Sequence, residues 1–577
     1  MRARSKFAVS VVTTGVMLAA GGSAAAGGVT PADTLLTHGH IYTLDAAHPW
    51  AEAVAIQGGK ISFVGSAKDA QAHKGSATKV VDLEGHFAMP GLVDEHVHPL
   101  MGGLKVLYQC NFAFTATPEE ISKALSDCAK RTPPGIWIRG GQWGSAFFET
   151  NHIASPKAFL DAVSTQHPIY LVDDSGHNGW TNSAGLAAAH FTKDTPNPEG
   201  GTIVRGADGE PNGVLLETAA RVYDKVVPDW TEEEYVSAAR EAMHIANGYG
   251  ITSIKDAGAF HPAGMAFSRL DKAGELTLNV AVCVRTPYGA RSTPLDYTAI
   301  EQERDQYRTK RVHTDFVKLF LDGVPTPART AAMVAPYVHD DEHGDHFTGS
   351  MHIDPELLKK DVVELDRRGF TVKMHAAGDF SVRAGLDAIE AARKANGNSG
   401  RHHELAHAGF VTEQDVPRFG KLDAIPDFCP VLWHPSSIID AVIAATGERG
   451  KHYWPTRSLL DTGAKIAAGS DWPAAVPDEN PWTGVEAFVT RQDPRGEVKG
   501  ALWPEEAITL KEALQIYTLN GARALRLENQ TGSLVVGKSA DLIVLDRDLF
   551  KVPVTQLGKT QVLQTWFEGQ VVYSAKH

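Results

Sequence analysis

Cysteine is scarce, with 4 in 577 residues, which excludes a fold held together by disulfides. Positive charge is also short: Lys+Arg 55 stand against Asp+Glu 69 for a net charge of -14, and no basic block interrupts the chain. A nucleic-acid binder or a protein docking on an anionic membrane carries such a block or excess, so neither partner is expected. Beyond the first residues no apolar stretch approaches the ~20 residues that a membrane-spanning helix needs, so no stable span is expected. Internal repeats and low-complexity tracts are lacking too. What is present is 43% hydrophobic residues, enough for a large packed core and too many for a disordered chain. A chain of 577 residues is longer than one core requires, so one large domain with appended parts, or two domains, is expected.

Arg2, Arg4 and Lys6 precede an uncharged, largely apolar run from Phe7 to Ala20, and small residues follow to Ala24-Ala25-Ala26. That order reads as a cleavable signal peptide over 1–26 and implies a periplasmic or secreted protein. The alternative, an N-terminal membrane anchor, is disfavoured because the run is too short to span. In an oxidising compartment Cys110 and Cys128 can pair, whereas Cys283 and Cys429 read as buried thiols.

Residues 30–88 break into short strands separated by turns, Gly58-Gly59 being a hairpin signal. The same texture returns over 526–577, in Gly532–Asp546 and Gln561–Tyr573. Neither end holds enough strand to close a core alone, so one small β-sandwich built from both chain ends is expected. Between them, over 89–525, short apolar strands alternate with helical patterns, the mark of βα units around a parallel sheet. The strand candidates are 91–94, 169–173, 251–256, 316–322, 371–375, 403–407, 424–429 and 465–471. Eight such units predict an α/β fold, a (β/α)8 TIM barrel, with chemistry at the C-terminal strand ends. The interval of about 100–250 is too long for a barrel connection and predicts an inserted lobe with its own strands, including 200–205 and 213–217.

Polar residues gather at those strand ends. In Pro90-Gly-Leu-Val-Asp-Glu-His-Val-His-Pro99, alternation along a strand aims His96 and His98 the same way, which suits one divalent transition metal. With 25 His in the chain the pair alone says little. However, His375 ends Thr-Val-Lys-Met-His, His407 ends Glu-Leu-Ala-His and Asp471 ends Ala-Ala-Gly-Ser-Asp, each at the close of its own βα unit. A core histidine bonded to a carbonyl, or a surface cap for the aspartate, is the bland alternative for each. Lys318 shares parity with Phe320 and Asp322, opposite Val317, Leu319 and Leu321. A buried ammonium needs a partner or neutralisation. One reading is a salt bridge to Asp322 or Asp471; the other is a lysine carboxylated by carbon dioxide that bridges two metals, with Lys373 the rival if Lys318 points outward.

These blocks resemble the amidohydrolase superfamily, specifically the amidohydrolase family 3 or YtcJ-like branch, over nearly everything after the signal peptide. Pro90–His98 is similar to the family's strand-1 block, Phe316–Gly323 to strand 4, Met374–Asp379 to strand 5, Leu405–Ala408 to strand 6 and Gly469–Pro473 to strand 8. Ser175–Ser183 and Ala540–Leu545 resemble further blocks. The resemblance implies a metal-dependent hydrolase, with zinc or a similar metal in a TIM barrel flanked by a β-sandwich. His96, His98 and Asp471 would bind a first metal, His375 and His407 a second, and a carboxylated Lys318 would bridge. Strand 6 departs from many relatives, reading Leu-Ala-His where they have Ile-Glu-His, with Glu404 just upstream.

The expected chemistry is hydrolysis of an amide-type, non-peptide C–N bond in a small molecule by a metal-bound hydroxide, with Asp471 taking the water's proton and passing it to the leaving nitrogen. His177, Trp180 and Asn182 are placed at the pocket wall or hydrogen-bonding behind the ligands, against a loop network with Trp180 in a core. Arg329 is read as a clamp for a substrate carboxylate or oxyanion, against a structural ion pair. Gln142 and Trp143 are read as lining an apolar acyl or aromatic site. Arg457 and His434 are rim candidates without a role. Rival readings are hydrolysis of an ester, lactone or carbamate, deamination at one metal, and a non-catalytic binding or regulatory protein. A homodimer, common among relatives, is compatible with all of them.

Overall fold

A computed structural model describes residues 30–575 apart from 114–115, 145–146, 174–177, 199–200, 259–261, 288, 327, 342, 431–433 and 475. Eight parallel strands form its central sheet: β1 Leu92–Val97, β2 Ile251–Asp256, β3 Asn279–Val284, β4 Val312–Phe320, β5 Thr371–Ala376, β6 Glu404–His407, β7 Ile425–Phe428 and β8 Ala467–Ala468. The sheet curls back on itself, because just past β8 Ser470 N donates to Asp94 Oδ1 (3.0 Å) and Asp471 N donates to the His96 carbonyl (2.7 Å). The result is the expected TIM barrel. Among the described residues no helix is long and apolar enough to cross a membrane.

One barrel strand differs from the sequence expectation. Ile169–Asp173 lies outside the barrel, parallel to Ile138–Trp143 and antiparallel to Gly179–Thr181, and Asn279–Val284 takes the vacant place between β2 and β4. Both segments are short, apolar and buried, and such a run does not reveal which sheet will receive it. Ile169–Asp173 belongs to a six-stranded sheet of the inserted lobe, spanning Cys110 to Glu217 and including the hairpin Gly201–Arg205 and Pro211–Glu217. Cys110 and Cys128 form a disulfide within this lobe.

Strand alternation layers the barrel interior. Val317, Leu319 and Leu321 pack outward into the main core, while Phe316 points inward with Val93, Ala281, Cys283, Ile425 and Ala467 to make an apolar floor. Above the floor lies a layer of buried charge. Lys255 Nζ donates to Glu95 Oε1 (2.7 Å) and to Glu404; Lys373 Nζ reaches Glu95 Oε2 (2.7 Å), Glu404 Oε2 (3.1 Å) and Asp427 Oδ2 (2.6 Å). Burial opposes the charge of Lys373, but Asp427, Glu95 and Glu404 push its pKa well above the usual lysine value. Burial, with Glu95 close by, pushes Glu404 up to about 7.

The chain ends meet as expected. Strand Phe87–Pro90 pairs antiparallel with Leu542–Leu545 and parallel with His40–Tyr42, inside a six-stranded sheet. Leu36, Val54, Ile56, Ile61, Leu542, Val544 and Trp566 form one apolar cluster between that sheet and a four-stranded one made of Lys60–Gly65, Ala53–Gln57, Thr34–Thr37 and Lys79–Asp82. Because Pro90 is followed after one residue by β1, this sheet anchors the strand that carries His96 and His98.

Candidate metal centre at the barrel mouth

On β1, strict alternation would put Glu95 and His96 on opposite faces. The register of β1 against β2 slips between Ile254–Asp94 and Asp256–Val97, so three steps along β1 oppose two along β2. This bulge lets Glu95 enter the charged layer and His96 the layer above it. His96 is fully buried. Its Nδ1 donates to Asp427 Oδ2 at 2.5 Å, which leaves Nε2 with its lone pair facing the mouth. His98 Nε2 lies 3.3 Å and His96 Nε2 3.5 Å from Asp471 Oδ1.

The other groups arrive from separate strands. His375, on β5, follows the inward parity of Lys373, and its Nε2 donates to the Gly323 carbonyl at 2.9 Å. On β6, Glu404 points inward and Leu405 outward, so alternation alone would carry His407 to the outer face. A left-handed backbone at His407 (φ 69°) and Ala408 (φ 39°) turns the ring over the mouth instead. There it lies 4.6 Å from the His375 ring and 4.9 Å from the His96 ring, centroid to centroid. Asp471 is likewise left-handed, at φ 60°. Non-glycine residues adopt that conformation at a cost that the surrounding structure must hold in place, and they concentrate at functional sites.

Electrostatics favour the neutral form of His96, His375 and His407. Burial first, then the Lys318 charge, hold His96 well below its ordinary pKa. Burial and the neighbouring His375 and His96 do the same for His407, and burial with Lys318 brings His375 to about 3. Neutral imidazole is the form that binds a metal. Lys318 points inward at 2% exposure, its Nζ 5.2 Å from the centroid of the Phe320 ring. Burial and the charge of Lys373 lower its pKa. The alternative reading, a salt bridge of Lys318 with Asp322 or Asp471, is not formed among the described residues. Asp322 instead accepts from Ala332 N, Ala377 N, Gly378 N and Ser381 Oγ. Lys373, the rival, is occupied by three carboxylates in the layer below.

The donors fit a divalent transition metal. His96, His98 and Asp471 each place a ligand atom within 4.8 Å of the other two, as do His407, Cys429 and Asp471. The buried His96 Nε2 makes no hydrogen bond, an arrangement that costs energy unless a ligand occupies the space in front of it. Nitrogen and oxygen donors of this kind suit zinc and its neighbours.

Other sequence-derived candidates lie elsewhere. Trp143 and Trp180 are packed in the lobe core with ring centroids 6.1 Å apart, and Trp180 Nε1 donates to the Pro156 carbonyl at 3.0 Å. Asn182 is buried where it caps helix Ser183–Ala188, accepting from Gly185 N and Ile169 N and donating to the Ser164 and His167 carbonyls. These three are core and capping residues rather than pocket wall. Arg329 pairs with Asp340, the contact that the ion-pair alternative requires. Gln142 accepts from Lys105 Nζ at 3.4 Å, on the helix Pro99–Tyr108 that starts just after His98. Arg457 is held by Glu512 and Asp461, and His434 Nδ1 donates to the Pro435 carbonyl. His177 lies outside the described residues. Sequence reasoning missed Asp427, which orients His96, and Trp454, whose Nε1 donates to the His407 carbonyl at 2.5 Å. Parity along Ile425, Asp427 and Cys429 was the available signal for Asp427; Trp454 offered none.

The sequence profile of the amidohydrolase family matches residues 79–573. The chain is 30% identical over 561 residues to Protein LONG AFTER FAR-RED 3 of Arabidopsis thaliana, covering 94% of this chain and 92% of that one. It is 27% identical over 554 residues to N-substituted formamide deformylase of Arthrobacter pascens, covering 94% and 98%. Among solved structures, a metal-dependent hydrolase from Pyrococcus horikoshii aligns over 90% of this chain and 99% of that one, with a TM-score of 0.71 and 23% identity. That likeness is one of fold.

Proposed function

The chain belongs to the amidohydrolase family and is a hydrolase acting on carbon–nitrogen bonds, and from that premise we propose that it cleaves an amide-type C–N bond of a small molecule at a divalent-metal centre held by His96, His98, His375, His407 and Asp471. The observation that carries this reading is the convergence of His96 and His98 from β1 and Asp471 from just past β8, with His407 of β6 beside them, around a buried His96 Nε2 that makes no hydrogen bond. The resemblance to a formamide deformylase along 98% of that enzyme supports an N-substituted amide as the substrate class.

Zinc, when bound, would polarise the substrate carbonyl and lower the pKa of a coordinated water from 15.7 to about 7. The chain's own residues do the rest. Asp427 fixes the His96 ring through Nδ1 and so fixes where Nε2 points. The Asp471 carboxylate, 3.3 Å from His98 Nε2, stands where it can take a proton from the attacking water and return it to the leaving nitrogen, preventing expulsion of an amide anion. Lys318, buried and with its pKa lowered, offers an amine suited to carboxylation and to a bridging role between two metals. Asp471→Asn is expected to reduce turnover about 10²–10⁴-fold, the usual worth of a positioned acid–base group, with a much smaller change in metal content. Lys318→Ala is expected to lower the metal bound per chain. Unchanged turnover in the first variant, or unchanged metal content in the second, contradicts the assigned role.

The chain is further proposed to be exported with cleavage after Ala26. The basic and then apolar order of its first residues supports this, as does the Cys110–Cys128 disulfide, a bond that persists in oxidising compartments. Intact-mass measurement of the exported protein should find a chain beginning at Gly27; retention of Met1 in a cytoplasmic product would refute it.

A further inference from the structure

Cys283 and Cys429 are the two free thiols among the described residues, both fully buried, yet their surroundings differ in kind. Cys283 sits in the apolar floor with Val93, Ala281, Phe316 and Ile425, as a buried thiol ordinarily does. Cys429 stands two positions beyond Asp427. Inward parity carries Ile425 to the floor, Asp427 to the charged layer, and Cys429 to the mouth above it. Its Sγ lies 3.9 Å from His407 Nδ1, and Sγ, a His407 nitrogen and an Asp471 oxygen all fall within 4.8 Å of one another.

We propose that Cys429 is a direct ligand of the metal centre, completing a sulfur, nitrogen and oxygen donor set with His407 and Asp471 beside the set formed by His96, His98 and Asp471. The assignment rests on the metal-centre reading above and names a ligand that reading does not contain. Bonds of about 2.0–2.1 Å to nitrogen and 2.3 Å to sulfur at a tetrahedral metal separate the two donors by roughly 3.5 Å, so the observed 3.9 Å requires only a small inward shift. A second observation bears on Asp471, the donor that the two sets share. The fully buried His96 Nε2, which makes no hydrogen bond, faces Asp471 Oδ1 at 3.5 Å, and Asp471 is common to both donor sets. The chemical consequence is selectivity: a soft sulfur donor favours zinc or cobalt over magnesium, calcium or manganese.

Cobalt(II) in place of the native metal gives a readout independent of turnover. In full-length mature protein loaded with cobalt, the proposal predicts a near-ultraviolet sulfur-to-cobalt charge-transfer band alongside the visible ligand-field bands. Cys429→Ser and Cys429→Ala should each lose the charge-transfer band while retaining bound cobalt, and Cys283→Ser should keep it. Two substitutions of different polarity guard against a fold defect in either, with circular dichroism as the check. Cobalt bound with ligand-field bands but no charge-transfer band in the wild type would overturn ligation by Cys429 and leave the metal centre standing. Persistence of the band in both Cys429 variants would equally overturn it. Failure to bind cobalt at all would overturn the metal centre and this ligand together.

Discussion

His375 shows how burial can set the protonation of a single residue. Removal from water, reinforced by the Lys318 charge, brings its pKa to about 3 from the ordinary 6.5. In metal-free protein the unfolded chain therefore takes up a proton between those two values that the folded chain refuses, so His375 weakens the fold progressively as pH falls from 6.5 towards 3 and has no such effect above that window. Relative to His375→Asn, the wild-type unfolding free energy should fall by about 1.4 kcal/mol per pH unit through the middle of that range. Parallel denaturant titrations of the two proteins at several pH values measure this, and a pH-independent difference contradicts it. At this scale the sequence was legible wherever the residue type itself was unusual. A histidine or aspartate closing an apolar strand stands out, as His96, His375, His407 and Asp471 did. It was illegible where function depends on a partner. Nothing about Trp180 or Asn182 distinguishes a pocket wall from the lobe core and helix cap they make, because burial is a property of the assembled molecule.

Between β1 and β8, the elements that join the His96/His98 pair to Asp471, space is the controlling quantity. A Cβ at Gly469 would lie 2.2 Å from His96 N and 2.5 Å from Asp94 Oδ1, so the two strand ends approach this closely only because residue 469 has no side chain. Gly469→Ala should cost about 1–3 kcal/mol, as overpacking does, and should also lower metal affinity by moving Asp471 away from the two imidazoles. Denaturation and metal titration of one preparation test both effects; a variant unchanged in both would show that the approach of β1 to β8 does not position the donors. Element types were largely readable, since apolar runs alternating with helical patterns announce βα units. Two features were not. The exchange of Ile169–Asp173 for Asn279–Val284 in the barrel turns on which partner strand is available. The bulge in β1 and the left-handed turn at His407 override the alternation from which strand-end positions are inferred.

Over the whole molecule, chain segments far apart in sequence are fastened around one mouth. Strand Phe87–Pro90 pairs with Leu542–Leu545 and so ties the start of β1 to the C-terminal region. The ion pairs of Lys255 and Lys373 with Glu95, Glu404 and Asp427 join five strand interiors directly below the donors. Such a layer is sensitive to the loss of any member, because an unpaired buried charge costs several kcal/mol. The joining of both chain ends in one sandwich was legible, since neither end could bury its strands alone. The charged layer was not, since Glu95, Lys255 and Glu404 announce nothing until the barrel closes around them. Hydrolysis, as proposed, depends on a metal held by donors that separate strands bring to this mouth. The most direct test is elemental analysis of the purified mature protein before and after chelation, paired with hydrolysis of N-acyl and N-formyl amides. At least one divalent transition metal per chain is expected, with activity lost with the metal and restored by zinc, and neither metal nor activity when His96 and His98 are both replaced by asparagine; full activity in protein free of metal would contradict metal-dependent hydrolysis.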